Sequence, residues 1–364
     1  MAQPMSQFLS PALRGLAPYT PGEQPQDRTY IKLNTNESPY PPSPRVLEAV
    51  AAQAGGDLRL YPDPELKSVR RAAAERYGLS PGQVFVGGGS DEILAYIFMA
   101  FFQKGNAACF ADVTYSFYPV CVDLFGLAAD IVPLREDFTV ETADYRGRKG
   151  HVFLCNPNAP TGICLAPAQV EELLRQDPDR LVIVDEAYVD FAPGMDSLPL
   201  LGKYPNLLVV RTFSKSRSLA GMRVGLCMGS AELIADLTRV KFSFNPYNLS
   251  RPAVAAAIAA LEDGAYVEDL VSKIRPTRAR MTQRLTEMDF AVLPSQTNFL
   301  FARTAAMGGE ALYQTLKSQG ILVRHFNKPR IDEFIRVTVG TDAEADAFLE
   351  ATRCALFLRK QQVR

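Results

Sequence analysis

Leu181-Val182-Ile183-Val184, closed by Asp185 and followed by Glu186-Ala187-Tyr188, is the stretch on which the reading of the fold turns. Four apolar residues in a row leave no wet face, so they suit a strand covered on both sides. The same texture recurs at Val84-Phe85-Val86, Ala107-Ala108-Cys109-Phe110, Ile131-Val132-Pro133, Val152-Phe153-Leu154-Cys155 and Leu207-Leu208-Val209-Val210, with helical segments between the runs. Apolar strands alternating with helices predict an α/β fold around a largely parallel sheet covered on both sides.

Outside this block the texture changes. The first forty residues are rich in Pro, Asn and Tyr and end in Asn34-Thr35-Asn36-Glu37-Ser38-Pro39-Tyr40-Pro41-Pro42, which reads as an arm lying over another part of the chain. A helix is predicted from Ser43 through Val46, Leu47 and Val50, and a second over Glu65 to Tyr77, opened by Pro62-Asp63-Pro64. Beyond Pro246 come an Ala-rich helix (Ala253 to Leu261), a long charged helix around Arg275 to Met288 and a strand Phe299-Leu300-Phe301. The expected organisation is an arm over 1–42 packing with a smaller domain, a large domain over 43–248 and the smaller α/β domain over 249–364.

With 364 residues, 47% of them hydrophobic, the chain can bury two cores. Its 39 Lys+Arg and 40 Asp+Glu nearly cancel and no basic run stands out, which argues against nucleic acid and anionic membrane as partners. Six scattered cysteines lack the spacing of a zinc site or a disulfide scaffold and read as reduced core residues. Met1 to Thr20 has no basic segment followed by an apolar one, and no later run approaches a membrane span, so a cytoplasmic location is expected. With His151 and His325 as its only histidines, the chain leaves little room for histidine-based metal clusters, and no metal is expected.

In Thr212-Phe213-Ser214-Lys215-Ser216 a lysine follows directly on a strand, where a flexible cation is costly to bury. A lysine that loses its proton there can attack an aldehyde; taken alone, it reads rather as a surface lysine starting a helix. Asp185 stands at the carboxyl end of its strand, where open α/β sheets place their ligands, and a carboxylate there can pair with a protonated pyridine nitrogen. Tyr188 follows three residues later with a phenol to donate, although Asp-Glu-Ala-Tyr by itself also suits an acidic helix start. Gly87-Gly88-Gly89-Ser90-Asp91-Glu92 leads from a strand into a helix with an apolar face of Ile93, Leu94, Ile97, Phe98 and Phe101. Such a turn makes an anion cradle with Ser90 as N-cap, and Arg223 in Gly221-Met222-Arg223-Val224-Gly225 can add charge, joined by the Ser214 hydroxyl. It lacks the lysine of a Walker loop and the spacing of a dinucleotide fingerprint.

Taken in order, these motifs resemble the fold-type-I aminotransferases, and most closely the histidinol-phosphate aminotransferase family. The resemblance runs from Leu16-Ala17-Pro18-Tyr19-Thr20-Pro21-Gly22-Glu23-Gln24-Pro25 to Ile335-Arg336-Val337-Thr338-Val339-Gly340-Thr341. It implies a seven-stranded, mostly parallel sheet, pyridoxal 5'-phosphate as cofactor, Lys215 as the Schiff-base lysine, Asp185 as the pyridine partner and Tyr188 as donor to the ring's 3-oxygen. By the same likeness Ser90 and Asp91, Ser214 and Arg223 hold the cofactor phosphate and Tyr115 stacks on the ring. Tyr61 reaches the phosphate in a neighbouring subunit, which implies a homodimer. Where the family commonly has Asn-Asn-Pro-Thr-Gly, this chain has Asn158-Ala159-Pro160-Thr161-Gly162, and Asn158 is the residue expected to take over the ring-oxygen contact.

Arg324 and Arg336 each interrupt an apolar stretch, which suggests side chains aimed at anions or paired to surface acids. In the family these positions grip the substrate phosphate and the carboxylate of the glutamate co-substrate. Lys328 and Arg330 read as a solvated basic loop. The reaction the resemblance implies converts imidazole-acetol phosphate and glutamate to histidinol phosphate and 2-oxoglutarate. Alternatives are an aromatic amino acid aminotransferase, a threonine-phosphate decarboxylase of the same fold, and a non-catalytic ligand-binding protein on that fold.

Overall fold

The computed structural model describes residues 6–103 and 105–362, so Met1–Met5 of the expected arm lie outside it. In chain order the strands are β1 (Ile31–Lys32), β2 (Val84–Gly87), β3 (Ala107–Ala111), β4 (Ala128–Val132), β5 (His151–Cys155), β6 (Val182–Asp185), β7 (Leu207–Thr212), β8 (Gly225–Met228), β9 (Phe290–Val292), β10 (Phe299–Thr304), β11 (Ile321–Leu322), β12 (Arg324–His325) and β13 (Ile335–Thr338). The α-helices are α1 (Pro44–Ala51), α2 (Lys67–Tyr77), α3 (Ser90–Phe101), α4 (Phe117–Phe125), α5 (Pro167–Gln176), α6 (Ala231–Phe244), α7 (Arg251–Glu262), α8 (Gly264–Glu287), α9 (Gly309–Ser318) and α10 (Asp342–Gln362).

Seven strands form one sheet in the order β2-β8-β7-β6-β5-β3-β4. Strands β3 to β7 pair in parallel, while β8 runs antiparallel to both β7 and β2. All strands but β8 therefore point the same way, and their carboxyl ends share one edge. The central apolar runs are buried as expected, with Val182, Ile183 and Val184 all 0% exposed, whereas the edge strand β4 leaves Ile131 42% exposed and ends before Pro133. On one face α3 lays Ile93, Leu94, Ile97 and Phe98 against the sheet, with Phe98 stacked on Phe153 at 4.6 Å between centroids. The opposite face, with Val84, Val86, Val182 and Val184, packs on α1, α2, α5 and α7.

The pattern reading also differs from the fold elsewhere. The Gly225–Met228 run is a buried strand, β8, hidden in the sequence because a loop motif ends inside it. The Ala-rich helix α7, expected in the smaller domain, packs instead on α1 and α2, and its small side chains allow that close approach. At α3 the N-cap is Gly89 with φ 95°, and Ser90 is the first helical residue.

The remaining strands form a four-stranded antiparallel sheet in the order β12-β13-β10-β9 and a short parallel pair, β1 with β11, through which the arm is stitched to the C-terminal third. Arg330 lies in an exposed loop, as expected, and from there it pairs with Asp112 beyond β3 and donates to the carbonyls of Leu134 (3.1 Å) and Arg135 (2.8 Å). Among the described residues, no helix is long and apolar enough to cross a membrane.

Behind Asp185 the chain is anchored by a buried ion pair. Arg211 on β7 donates from Nε and Nη2 to Glu186 Oε2 at 2.9 and 2.8 Å, and Ser197 N–H donates to Glu186 Oε1 at 2.6 Å. Replacing one partner strands the other charge out of water, a change that costs about 3–5 kcal/mol. Arg211→Met is expected to lower stability to urea by that amount. A loss below about 1 kcal/mol would class the pair with solvent-exposed ones instead.

Candidate active site

At the carboxyl edge of the large sheet a cavity of about 350 Å³ opens between that sheet, the arm and the four-stranded sheet. Topology explains its position: Gly87, Cys155, Asp185 and Thr212 are all last residues of co-directional strands. Of the expected residues, Ser90, Asp91, Tyr115, Asp185, Tyr188, Ser214, Lys215, Arg223, Arg324 and Arg336 line this one cavity, whereas Asn158 and Tyr61 do not.

Lys215 Nζ donates to the Thr35 carbonyl at 3.0 Å and lies 5.9 Å from the Tyr188 ring centre. Burial, and after it the positive charge of Arg336, pulls its pKa down to about 8. Asp185 is 2% exposed; its carboxylate accepts from Tyr118 Oη (3.2 Å) and from the Ala187 N–H (3.2 Å). Among the described residues no cation lies within ion-pair distance of it, and burial raises its pKa to about 7. A protonated ring nitrogen is the kind of partner this carboxylate lacks.

The anion cradle forms where α3 begins. First-turn N–H groups have no acceptor inside a helix, and here they meet Arg223 and Ser214. Ser214 Oγ accepts from Thr212 Oγ1 at 3.0 Å and from Arg223 Nη1 at 3.4 Å, which leaves its own proton free for an anion. Two glycines make room: a Cβ on Gly89 would stand 2.6 Å from Arg223 Nη2, and one on Gly225 would stand 2.8 Å from the Gly89 carbonyl carbon. Asp91 accepts from Tyr115 Oη at 2.8 Å and lies 3.6 Å from Arg223, so its carboxylate orients the tyrosine over the cavity. A lysine of lowered basicity, an unpaired buried carboxylate and a glycine-lined cationic cradle together fit a ring with a protonated nitrogen, an aldehyde and a phosphate tail.

Arg324 and Arg336 are directly opposed cross-strand neighbours on β12 and β13. Like charges facing each other across a ladder destabilise it unless an anion joins them. Arg336 lies 5.3 and 5.4 Å from the ring centres of Phe299 and Phe326, donates to the Asn34 carbonyl at 3.0 Å and keeps a buried Nε without a partner. Arg324 donates to the carbonyls of Pro21 and Thr20, both at 2.9 Å, so the arm is docked on it. Lys328, read as part of a solvated loop, also lines the cavity.

Asn158 corrects an expectation. Its Nδ2 donates to the Val113 carbonyl (3.0 Å) and Thr161 Oγ1 (2.9 Å), and its Oδ1 accepts from Thr114 Oγ1 (2.9 Å). The amide is fully engaged in bracing two loops, and Ala159 is the neighbour that faces the cavity. Tyr61 is 76% exposed and stacks on Tyr247 at 4.4 Å, outside its own chain's cavity.

Residues not singled out in the sequence are Tyr118, Thr212, Tyr19, Asn36 and Thr338. Thr338 had a signal: it lies two residues after Arg336 on a strand, hence on the same face. Asn36 sits in the polar run that ends the arm, but its contact with Tyr188 joins residues 152 apart in sequence.

The aminotransferase class I and II family model matches residues 28–351. The chain is 48% identical over 346 residues to the histidinol-phosphate aminotransferase of Brachyspira hyodysenteriae, covering 95% of this chain and 98% of that relative. It is 51% identical over 353 residues to histidinol-phosphate aminotransferase 2 of Dechloromonas aromatica, covering 96% and 99%. Among solved structures it is similar to histidinol-phosphate aminotransferase from Sinorhizobium meliloti in complex with pyridoxal-5'-phosphate, with a TM-score of 0.87, 29% identity and coverage of 98% and 99%.

A pH dependence follows from the cavity's charges. Before any cofactor is added, labelling of Lys215 by a small aldehyde with borohydride, read by mass spectrometry, is expected to rise with a midpoint near pH 8. Arg336→Ala removes a like charge that disfavours the ammonium, so the midpoint is expected to move upward, towards the ordinary lysine value of 10.5. An unmoved midpoint would rule out Arg336 as a cause.

Proposed function

Because the chain belongs to the class I and II aminotransferase family, we propose that it transfers the amino group of glutamate to imidazole-acetol phosphate, forming histidinol phosphate and 2-oxoglutarate in histidine biosynthesis, with pyridoxal 5'-phosphate as its cofactor. One observation carries the reading: an amine of lowered basicity, an unpaired carboxylate and cations from both sheets converge on one cavity. Near-full-length similarity to histidinol-phosphate aminotransferases supports the choice of substrate.

When bound, pyridoxal phosphate supplies an aldehyde that condenses with amines and a ring that accepts electrons. Lys215 holds the group and, once its amine is released, moves a proton at the substrate's α-carbon; a pKa near 8 suits both giving and taking it. Asp185 keeps the ring nitrogen protonated, and the Tyr118 hydroxyl steadies that carboxylate. Tyr188 would donate to the ring oxygen, Tyr115 would stack on the ring, and Ser90, the backbone of Asp91, Ser214 and Arg223 would hold the phosphate. Arg324 and Arg336 bind the acidic groups of the two substrates in turn, and the arm over Lys215 shields the amine from bulk water.

The functional unit in this reading is a homodimer in the cytoplasm. Tyr61, stacked on Tyr247 beside exposed Leu58 and Leu60, forms an apolar patch suited to a second copy, and Tyr61 reaches the phosphate in that copy's cavity. Six free thiols among the described residues fit a reducing compartment.

The protein purified with its cofactor should be yellow, borohydride should fix the cofactor on Lys215, and Lys215→Ala should abolish turnover. Colourless protein that takes up no pyridoxal phosphate sinks the reading. With 2-oxoglutarate as acceptor, histidinol phosphate should outperform phenylalanine and threonine phosphate in kcat/KM; a preference for either rival would reassign the substrate. Arg336→Ala leaves a substrate carboxylate without its charge partner and should lower kcat/KM about 100-fold.

A further inference from the structure

We propose that Thr338, Asn36 and Tyr188 form a one-directional hydrogen-bond relay that holds Tyr188 as a donor towards the cofactor's ring oxygen, with Asn36 and Thr338 as positioning residues. The proposal rests on the pyridoxal-phosphate reading above, and the hydrogen-bond arithmetic of the three side chains sets its direction.

Thr338 Oγ1 accepts the Asn36 backbone N–H at 3.0 Å, and the single hydroxyl proton goes to Asn36 Oδ1 at 3.2 Å. That makes Oδ1 the acceptor end of the amide. The other end, Nδ2, stands 3.0 Å from Tyr188 Oη. An amide nitrogen can only donate, so Tyr188 accepts from Asn36 and its own proton remains free. Since Tyr188 lines the cavity, that proton is available to a ligand there.

The relay is built rigidly. Asn36 is 1% exposed and Thr338 2%, so bulk water does not compete for either side chain. Asn36 adopts the left-handed conformation with φ 57°, and its carbonyl accepts from Asn298 Nδ2 at 3.0 Å, which pins the residue from a third side. In the neighbouring loop Ala159 faces the cavity without a side-chain donor, and both amide protons of Asn158 are engaged elsewhere. The relay also joins three parts of the chain, with Thr338 on β13, Asn36 in the arm and Tyr188 beyond β6. Docking of the arm and the smaller sheet therefore sets the polarity of a hydrogen bond at the cofactor.

A donor to the ring oxygen stabilises its anionic form, and losing that donor raises the pH at which the bound cofactor's visible band switches. The experiment is a spectrophotometric pH titration of the yellow holoenzyme, with the pyridoxal phosphate dissociation constant as a second readout. Asn36→Asp keeps the shape but accepts only, and so captures the Tyr188 proton. Thr338→Val removes the hydroxyl that orients the amide without adding charge. Both should raise the midpoint, by about one pH unit where the donor is lost outright, and weaken cofactor binding up to about tenfold. Tyr188→Phe should shift the midpoint in the same direction, and Thr338→Ser should restore the wild-type midpoint. Wild-type midpoints in both Asn36→Asp and Thr338→Val, alongside a shifted Tyr188→Phe, overturn the relay. A wild-type protein with no visible band at all overturns the cofactor reading instead.

Discussion

Burial acts in opposite directions on the two ionisable groups at the heart of this molecule. It lowers Lys215 to about 8 and raises Asp185 to about 7, because a desolvated site penalises charge of either sign. Both groups consequently exchange protons near neutrality, while an exposed lysine and an exposed aspartate would be locked in their charged forms. The rest of the architecture maintains that desolvation. A doubly covered sheet brings the strand ends together, the Glu186 and Arg211 pair anchors the chain behind Asp185, and the arm lies across the lysine.

Around Lys215 and Asp185 the cations line the same cavity. Arg223 stands at a helix start where glycines leave space for its guanidinium, and Arg324 and Arg336 face each other across a ladder that gains nothing from their proximity. Two opposed arginines with an orphaned Nε concentrate positive charge at the cavity wall, and phenylalanine rings flank the Arg336 guanidinium.

The arm connects these two regions. It pairs with β11, carries the carbonyls that dock on Arg324, Arg336 and Lys215, and inserts Asn36 between Thr338 and Tyr188. A segment with almost no regular structure is thus in contact with the chemistry along much of its length. Its left-handed Asn36 is held by hydrogen bonds from both sheets' surroundings, which is how an irregular stretch can stay in one conformation.

Local pattern sufficed for the parallel core of the large sheet, because strands buried on both faces must be continuously apolar, and it sufficed to place Asp185 at a strand end and Lys215 just beyond one. It also pointed to Arg324 and Arg336, since a cation inside an apolar run needs a reason. Other features belonged to tertiary structure alone. Strand β8 hid behind a loop motif, α7 joined the large sheet through small side chains, and the exposed Arg330 found a partner in Asp112. Asn158 turned away from the cavity because three partners from two loops occupy its amide. These outcomes depend on which distant groups satisfy each buried donor and acceptor, and such pairings, 302 residues apart for Asn36 and Thr338, have no local signature for periodicity or spacing to carry.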